Sequence, residues 1–85
     1  MSDTLSRETA EATVRSALRG FATAADLAAL RSDVPLRTTL DLDSLDFLTF
    51  VERLTTATGL RIDEVDYPKL ATIGMCVEFL ATRAV

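Results

Sequence analysis

The sequence predicts an all-α domain with three main helices, one or two short ones and a long first loop. Three observations predict it. Apolar residues recur at helical spacing in three separate stretches. No alternating β-branched run and no hairpin dipeptide occurs along the chain. With 48% hydrophobic residues in 85, the chain is expected to form one packed domain over residues 1–85. A chain this short buries only ~60–65% of its unfolded surface, so the core has to be economical.

The first helix is expected from about Leu5 to Arg19. Ala10, Val14, Ala17, Leu18 and Phe21 follow the i, i+4, i+7, i+8, i+11 rhythm of one face. Ser2, Asp3 or Thr4 offers a cap, and Gly20 is a natural stop. Residues 20–43 then form a long connection. Its segment "ATAADLAALRSD" is suited to a short helix, and Pro35 is expected to break any continuation. A connection this long needs anchors, for which Leu27, Leu30, Leu36 and Leu40 are the candidates.

The second helix should begin at Asp43 or Ser44 and end near Gly59. At 100° per residue, Phe47, Phe50, Val51, Leu54 and Ala57 share one side. Leu45 and Leu48 fall opposite, beside Thr49, Glu52, Thr55 and Thr56. Two leucines on the solvent side, next to an acidic cluster, point to a docking surface. In "LRIDEVDYP", Leu60 and Ile62 should turn inward before a short helical turn ended by Pro68. The last helix is capped by Thr72, and Ile73, Cys76, Val77 and Leu80 form its apolar stripe, with Phe79 adjacent.

Composition removes several function classes. One cysteine, Cys76, leaves no internal disulfide and no cysteine-rich zinc cluster. It is best read as a small buried apolar residue. The start "MSDTLSRETAEATVR" is too polar for a secretory signal, and no apolar run reaches membrane-spanning length. A cytoplasmic monomer, without membrane contact, is expected. The complete absence of histidine removes the Ser-His-Asp arrangement, the commonest general base and the favoured transition-metal ligand together. An enzyme is therefore not expected. Net charge is −4, which argues against nucleic acid as a partner. Residues 41–85 carry eight acids against four bases, and 1–40 carry five of each. From Asp41 to Asp66 there are seven acids and two arginines, a stretch suited to a basic partner surface.

The acidic stretch opens with "LDLDSLDFL", residues 40–48, and three readings compete for its serine. A calcium loop would place Asp41, Asp43 and Glu52 at its positions 1, 3 and 12. It would then place Leu45 where an oxygen ligand is needed and Asp46 where a glycine is needed, so no metal site is expected. A plain helix start is the second reading, with Asp43 or Ser44 as cap and Asp46 favoured by the helix dipole. In the third, Asp43 caps, Ser44 becomes the first helical residue, and its hydroxyl stands free for attachment. A phosphate ester there would gain only ~0.3–1 kcal/mol from the helix dipole. Accessibility, not energy, would choose the position. The residues alone leave the second and third readings open.

"LDLDSLDFL" resembles the phosphopantetheine attachment motif of acyl carrier proteins, whose core is D-S-L at the start of the second helix. "GLRI" resembles the family's segment after that helix, and "DYPKLATIGMCVEFL" its K-x-x-T-[VI]-G stretch entering the last one. Pro35 and Leu36 lie where the family's first loop packs back, and the resemblance spans about residues 10–84. It implies an acyl-carrier-like bundle that is a carrier and not an enzyme. Ser44 would be esterified by 4′-phosphopantetheine, transferred from coenzyme A by a phosphopantetheinyl transferase. Asp43 would help that transferase hold its magnesium and the serine. Leu45, Asp46, Leu48 and Glu52 would be read by partners: acyl-loading, condensing and modifying enzymes with basic patches. Phe50, Val51, Leu54, Ile62, Ile73 and Val77 would shelter an acyl chain, or simply form core. The resemblance implies thioester carriage for fatty acid, polyketide or a specialised acyl pathway. An aminoacyl or peptidyl carrier and an unmodified helical interaction module are the alternatives.

The chain departs from the family in three places. Asp41 stands where a glycine is usual. Thr49, Thr55 and Thr56 occupy positions often held by glutamate in fatty-acid carriers, and Glu52 one where an apolar residue is common. Met75 replaces an acid that often follows Thr-Ile-Gly. These departures favour a specialised pathway over general fatty-acid synthesis.

Overall fold

A computed structural model describes residues 6–83, all of whose regular elements are helical. Helix α1 spans Arg7–Ala17, α2 Ala24–Ala29, α3 Leu36–Thr39, α4 Ser44–Thr58 and α5 Ile73–Arg83, with a 3-10 helix, η1, at Glu64–Leu70. There are thus three short helices among the described residues, not one or two.

Ser6 starts α1, its hydroxyl accepting from the Thr9 amide at 3.1 Å. The expected caps Ser2, Asp3 and Thr4 lie outside the described residues. The helix also ends sooner than expected, at Ala17. The amides of Leu18 and Arg19 reach back only to Arg15 and Ser16, both at 3.2 Å, tightening the last turn to 3-10 form before Gly20. Thr23 caps α2 through the Asp26 amide at 3.0 Å. Pro35 does not merely break the chain. Its φ of −65° sets up α3, whose Thr39 amide donates to the Pro35 carbonyl at 3.0 Å.

Helix α4 starts at Ser44 with Asp43 as cap, and stops at Gly59, whose φ of +72° gives the left-handed C-cap. Phe47, Phe50, Val51 and Leu54 are buried as expected. Ala57 is exposed, a correction: it borders an open groove between α4 and α1 that no side chain fills. Pro68 does not end η1 either. Proline's fixed φ suits a 3-10 turn, and the helix continues through it to Leu70. Thr72 caps α5 by accepting from the Met75 amide at 3.0 Å.

Helix α1 packs on α5 and α4, and η1 closes against α5. The centre is filled by Val14, Leu18, Leu36, Phe50, Leu54, Leu70, Ile73, Cys76 and Leu80, all fully buried. Each of the larger ones contributes ~1.5–3 kcal/mol by leaving water. Leu60 and Ile62 are half-buried against this core.

The long loop is fastened by apolar side chains and by two backbone bonds. Leu27, Leu30 and Leu36 are buried and Leu40 half-buried, as expected of anchors; Leu42 is buried as well. The Leu36 amide donates to the Ala71 carbonyl at 2.8 Å, and the Gly74 amide to the Ser32 carbonyl at 2.9 Å. A Cβ at Gly74 would stand 3.2 Å from that Ser32 oxygen, so glycine lets the strands of chain meet.

Candidate functional site

The acidic motif forms the last turn of the loop and the first turn of α4. Buried Leu42 pins it from below, while its amide donates to the Arg37 carbonyl at 2.8 Å. Reversing the chain between Leu40 and Leu42 puts Asp41 at φ +54°. That left-handed conformation favours glycine and tolerates aspartate, which accounts for the glycine usual in the family.

Asp43 and Asp46 form a reciprocal capping box. Asp43 Oδ1 accepts from the Asp46 amide at 2.8 Å, and Asp46 Oδ2 from the Asp43 amide at 3.3 Å. The capping work is therefore done without Ser44. Its hydroxyl sits exposed on the first residue of α4. One side-chain donor reaches it: Arg37 Nη2, 3.5 Å from Ser44 Oγ. The same guanidinium lies over the Phe47 ring, 5.5 Å from its centroid. Asp43 is committed to the box and Glu52 lies two turns along α4, so the calcium-loop residues do not converge.

Leu45 is 74% and Leu48 40% exposed, and Glu52 is exposed beside them. Asp46 is half-buried within its box. Val65, on η1, is a further apolar residue left 81% exposed; nothing in the periodicity of so short an element singled it out. The residues named for an acyl shelter divide. Val51 and Ile62 line an open groove of about 510 Å³ with Leu48, Glu52, Thr55, Thr56 and Tyr67. Phe50, Leu54 and Ile73 are fully buried and Val77 nearly so, packed as ordinary core away from the groove lining. Cys76 is sealed inside, and burial pushes its thiol from an ordinary 9.0 up to about 12.

A family model described as the phosphopantetheine attachment site matches residues 12–80, most of the chain. The chain belongs to this family. It is a phosphopantetheine-binding carrier domain, and 4′-phosphopantetheine is its prosthetic group. Carrier domains of this family are not themselves catalytic and interact with transferases and partner enzymes. No curated protein and no solved structure matches the chain significantly.

The residues present fit such a group. The carrier domain offers an exposed primary hydroxyl, a helix N-terminus beneath it, and a guanidinium at hand for a phosphate. Sequence reasoning missed Arg37, although it is the sole basic residue between Arg31 and Arg53. It also missed the Asp43–Asp46 reciprocity, whose signal was the spacing of the two aspartates.

Proposed function

We propose that this carrier domain is an acyl carrier protein, modified on Ser44 and acting as a single domain over residues 1–85. The observation that carries the reading is the exposed Ser44 hydroxyl, released from capping by the Asp43–Asp46 box. When bound, the prosthetic group supplies the thiol on which cargo travels as a thioester. The chain's own residues then hold and present that group. Ser44 Oγ bears it, and Asp43 offers a carboxylate to the magnesium of a phosphopantetheinyl transferase. Leu45, Leu48 and Glu52 form the surface that loading, condensing and modifying enzymes read, with Asp46 setting the helix start.

Exposed Asp41, Asp43, Glu52 and Glu64 support basic patches on those partners. Such complementarity raises encounter rates by ~10–10³ at low salt, and rim contacts release easily. The groove bordered by Val51 and Ile62 is the shelter available to cargo; Phe50, Leu54, Ile73 and Val77 floor the fold. Acyl cargo is favoured over aminoacyl or peptidyl cargo because "DLDS" lacks the glycines usual before the serine in those carriers. Thr49, Thr55 and Thr56 favour a specialised or polyketide pathway over general fatty-acid synthesis. The reading places the carrier in the cytoplasm as a monomer; no described helix is long and apolar enough to cross a membrane.

The test is direct. The protein is incubated with coenzyme A, magnesium and a broad-specificity transferase, then weighed intact beside Ser44→Ala. One added phosphopantetheine, absent from the variant, is expected. Its absence from folded wild type, with a transferase active on another carrier, overturns the assignment.

A further inference from the structure

Arg37 stands in an acidic neighbourhood yet forms no ion pair among the described residues. Asp41, Asp43 and Asp46 are all close to it in sequence. Its guanidinium instead lies between two neutral groups, 5.5 Å from the centre of the Phe47 ring and 3.5 Å from Ser44 Oγ. Three constraints hold it there. Its carbonyl accepts from the Leu42 amide at 2.8 Å, tying α3 to the turn before α4. Leu36, the preceding residue, is fully buried. Phe47 is itself fixed by Phe50 and by an edge-on contact with Tyr67, with ring centroids 5.9 and 5.5 Å away.

A phosphodiester on Ser44 Oγ would carry one negative charge into a surface already bearing three aspartates. The helix dipole returns little of that cost at an exposed site. A cation beside Oγ would offset that charge, and among the described residues Arg37 is the only basic side chain with a hydrogen bond to Oγ. A neutral hydroxyl at 3.5 Å uses a guanidinium poorly, since most of its five donors stay unspent. Phosphate oxygens next to Oγ are the acceptors that such a fork matches.

We propose that Arg37 is a positioning residue that binds the phosphodiester at the root of the arm and so restricts the direction in which the arm leaves the protein. The inference rests on Ser44 as the attachment residue. It concerns the phosphate only and makes Arg37 neither a cargo contact nor a participant in any reaction.

Phosphorus NMR of the loaded protein reads the contact without reference to activity. Wild type, Arg37→Gln and Arg37→Lys are each loaded with coenzyme A and a transferase, and intact mass establishes complete modification. Gln preserves a stem over Phe47 but removes the charge. In wild type at low salt the phosphorus resonance should be displaced from its position in the urea-unfolded loaded protein. Arg37→Gln should lose that displacement, and the arm's methyl signals should sharpen. Arg37→Lys should restore part of it. About 1 M NaCl, where the screening length is ~3 Å, should move wild type toward Arg37→Gln.

Identical phosphorus shifts and arm linewidths in folded, loaded wild type and Arg37→Gln would overturn the inference while leaving Ser44 in place. So would Arg37→Gln that folds but cannot be loaded, because Arg37 would then serve the transferase instead. Failure of wild type to load removes the Ser44 reading itself, a result the mass measurement gives separately.

Discussion

The Arg53 side chain, projecting from α4, donates from one nitrogen to the carbonyl of Ala17 at 3.1 Å. The same Nη1 donates to the Arg19 carbonyl at 2.6 Å, and the guanidinium lies 5.0 Å from the Phe21 ring centre. Carbonyls left over at the end of α1 are thereby satisfied from a different helix. Arg53→Ala should cost about 1.5–3 kcal/mol, the range for hydrogen bonds to charged groups. Urea unfolding should show a lower midpoint with an unchanged m value. Arg53→Lys keeps one charged nitrogen for the two carbonyls but loses the planar guanidinium over the Phe21 ring, so it should recover only part of the loss.

The capping box assigns the cap to Asp43 and leaves the adjacent Ser44 hydroxyl free. Ser44→Ala should change stability by less than about 0.5 kcal/mol, as at other exposed sites. Asp43→Ala removes the cap and should cost ~0.5–2 kcal/mol. Thermal melts of both variants decide it. A large loss in Ser44→Ala would mean that the serine caps after all.

Asp41 is held at φ +54°, where β-branched residues are strained. Asp41→Val should therefore destabilise by about 1–3 kcal/mol. Asp41→Gly relieves the steric cost but frees the unfolded chain, two effects of ~1 kcal/mol that largely cancel. Equilibrium unfolding should rank Gly and Asp together, well above Val.

Cys76 sets an alkaline limit on the fold. Its thiol titrates at an ordinary 9.0 when unfolded and at about 12 inside the protein. Below pH 9 both states keep the proton and the thiol adds no pH dependence. Above it the unfolded chain releases the proton first, so stability falls by about 1.4 kcal/mol per pH unit. Cys76→Ala should be less stable at pH 7 yet show a shallower decline between pH 9 and 11.

Much of this fold was legible because long helices repeat their pattern. The stripes of α4 and α5 left little freedom in which residues face inward. The short elements were harder. In α3 four residues are too few for a period, and Pro35 read as a breaker when it starts a helix. Ala57 fell on the apolar side of the wheel, but burial there depends on what lies opposite, which one helix cannot reveal. At the site, Asp43 as the cap and Ser44 as the exposed first residue of α4 were legible in the motif. Arg37 was not, because its meaning lies in a distance across a loop.

The two backbone bonds from Ser32 to Gly74 and from Leu36 to Ala71 bind the segment before the motif to the start of the last helix. Arg37 and the turn at Asp41 thus follow a segment tied to the last helix at two points. For a carrier this fixes the origin of reach. Distance to a partner's reacting centre is then spanned chiefly by the prosthetic arm. If Ser44 bears the arm, as proposed, two partners that dock on the same α4 surface would receive cargo from the same point, and each would need its entrance within one arm's length of Ser44.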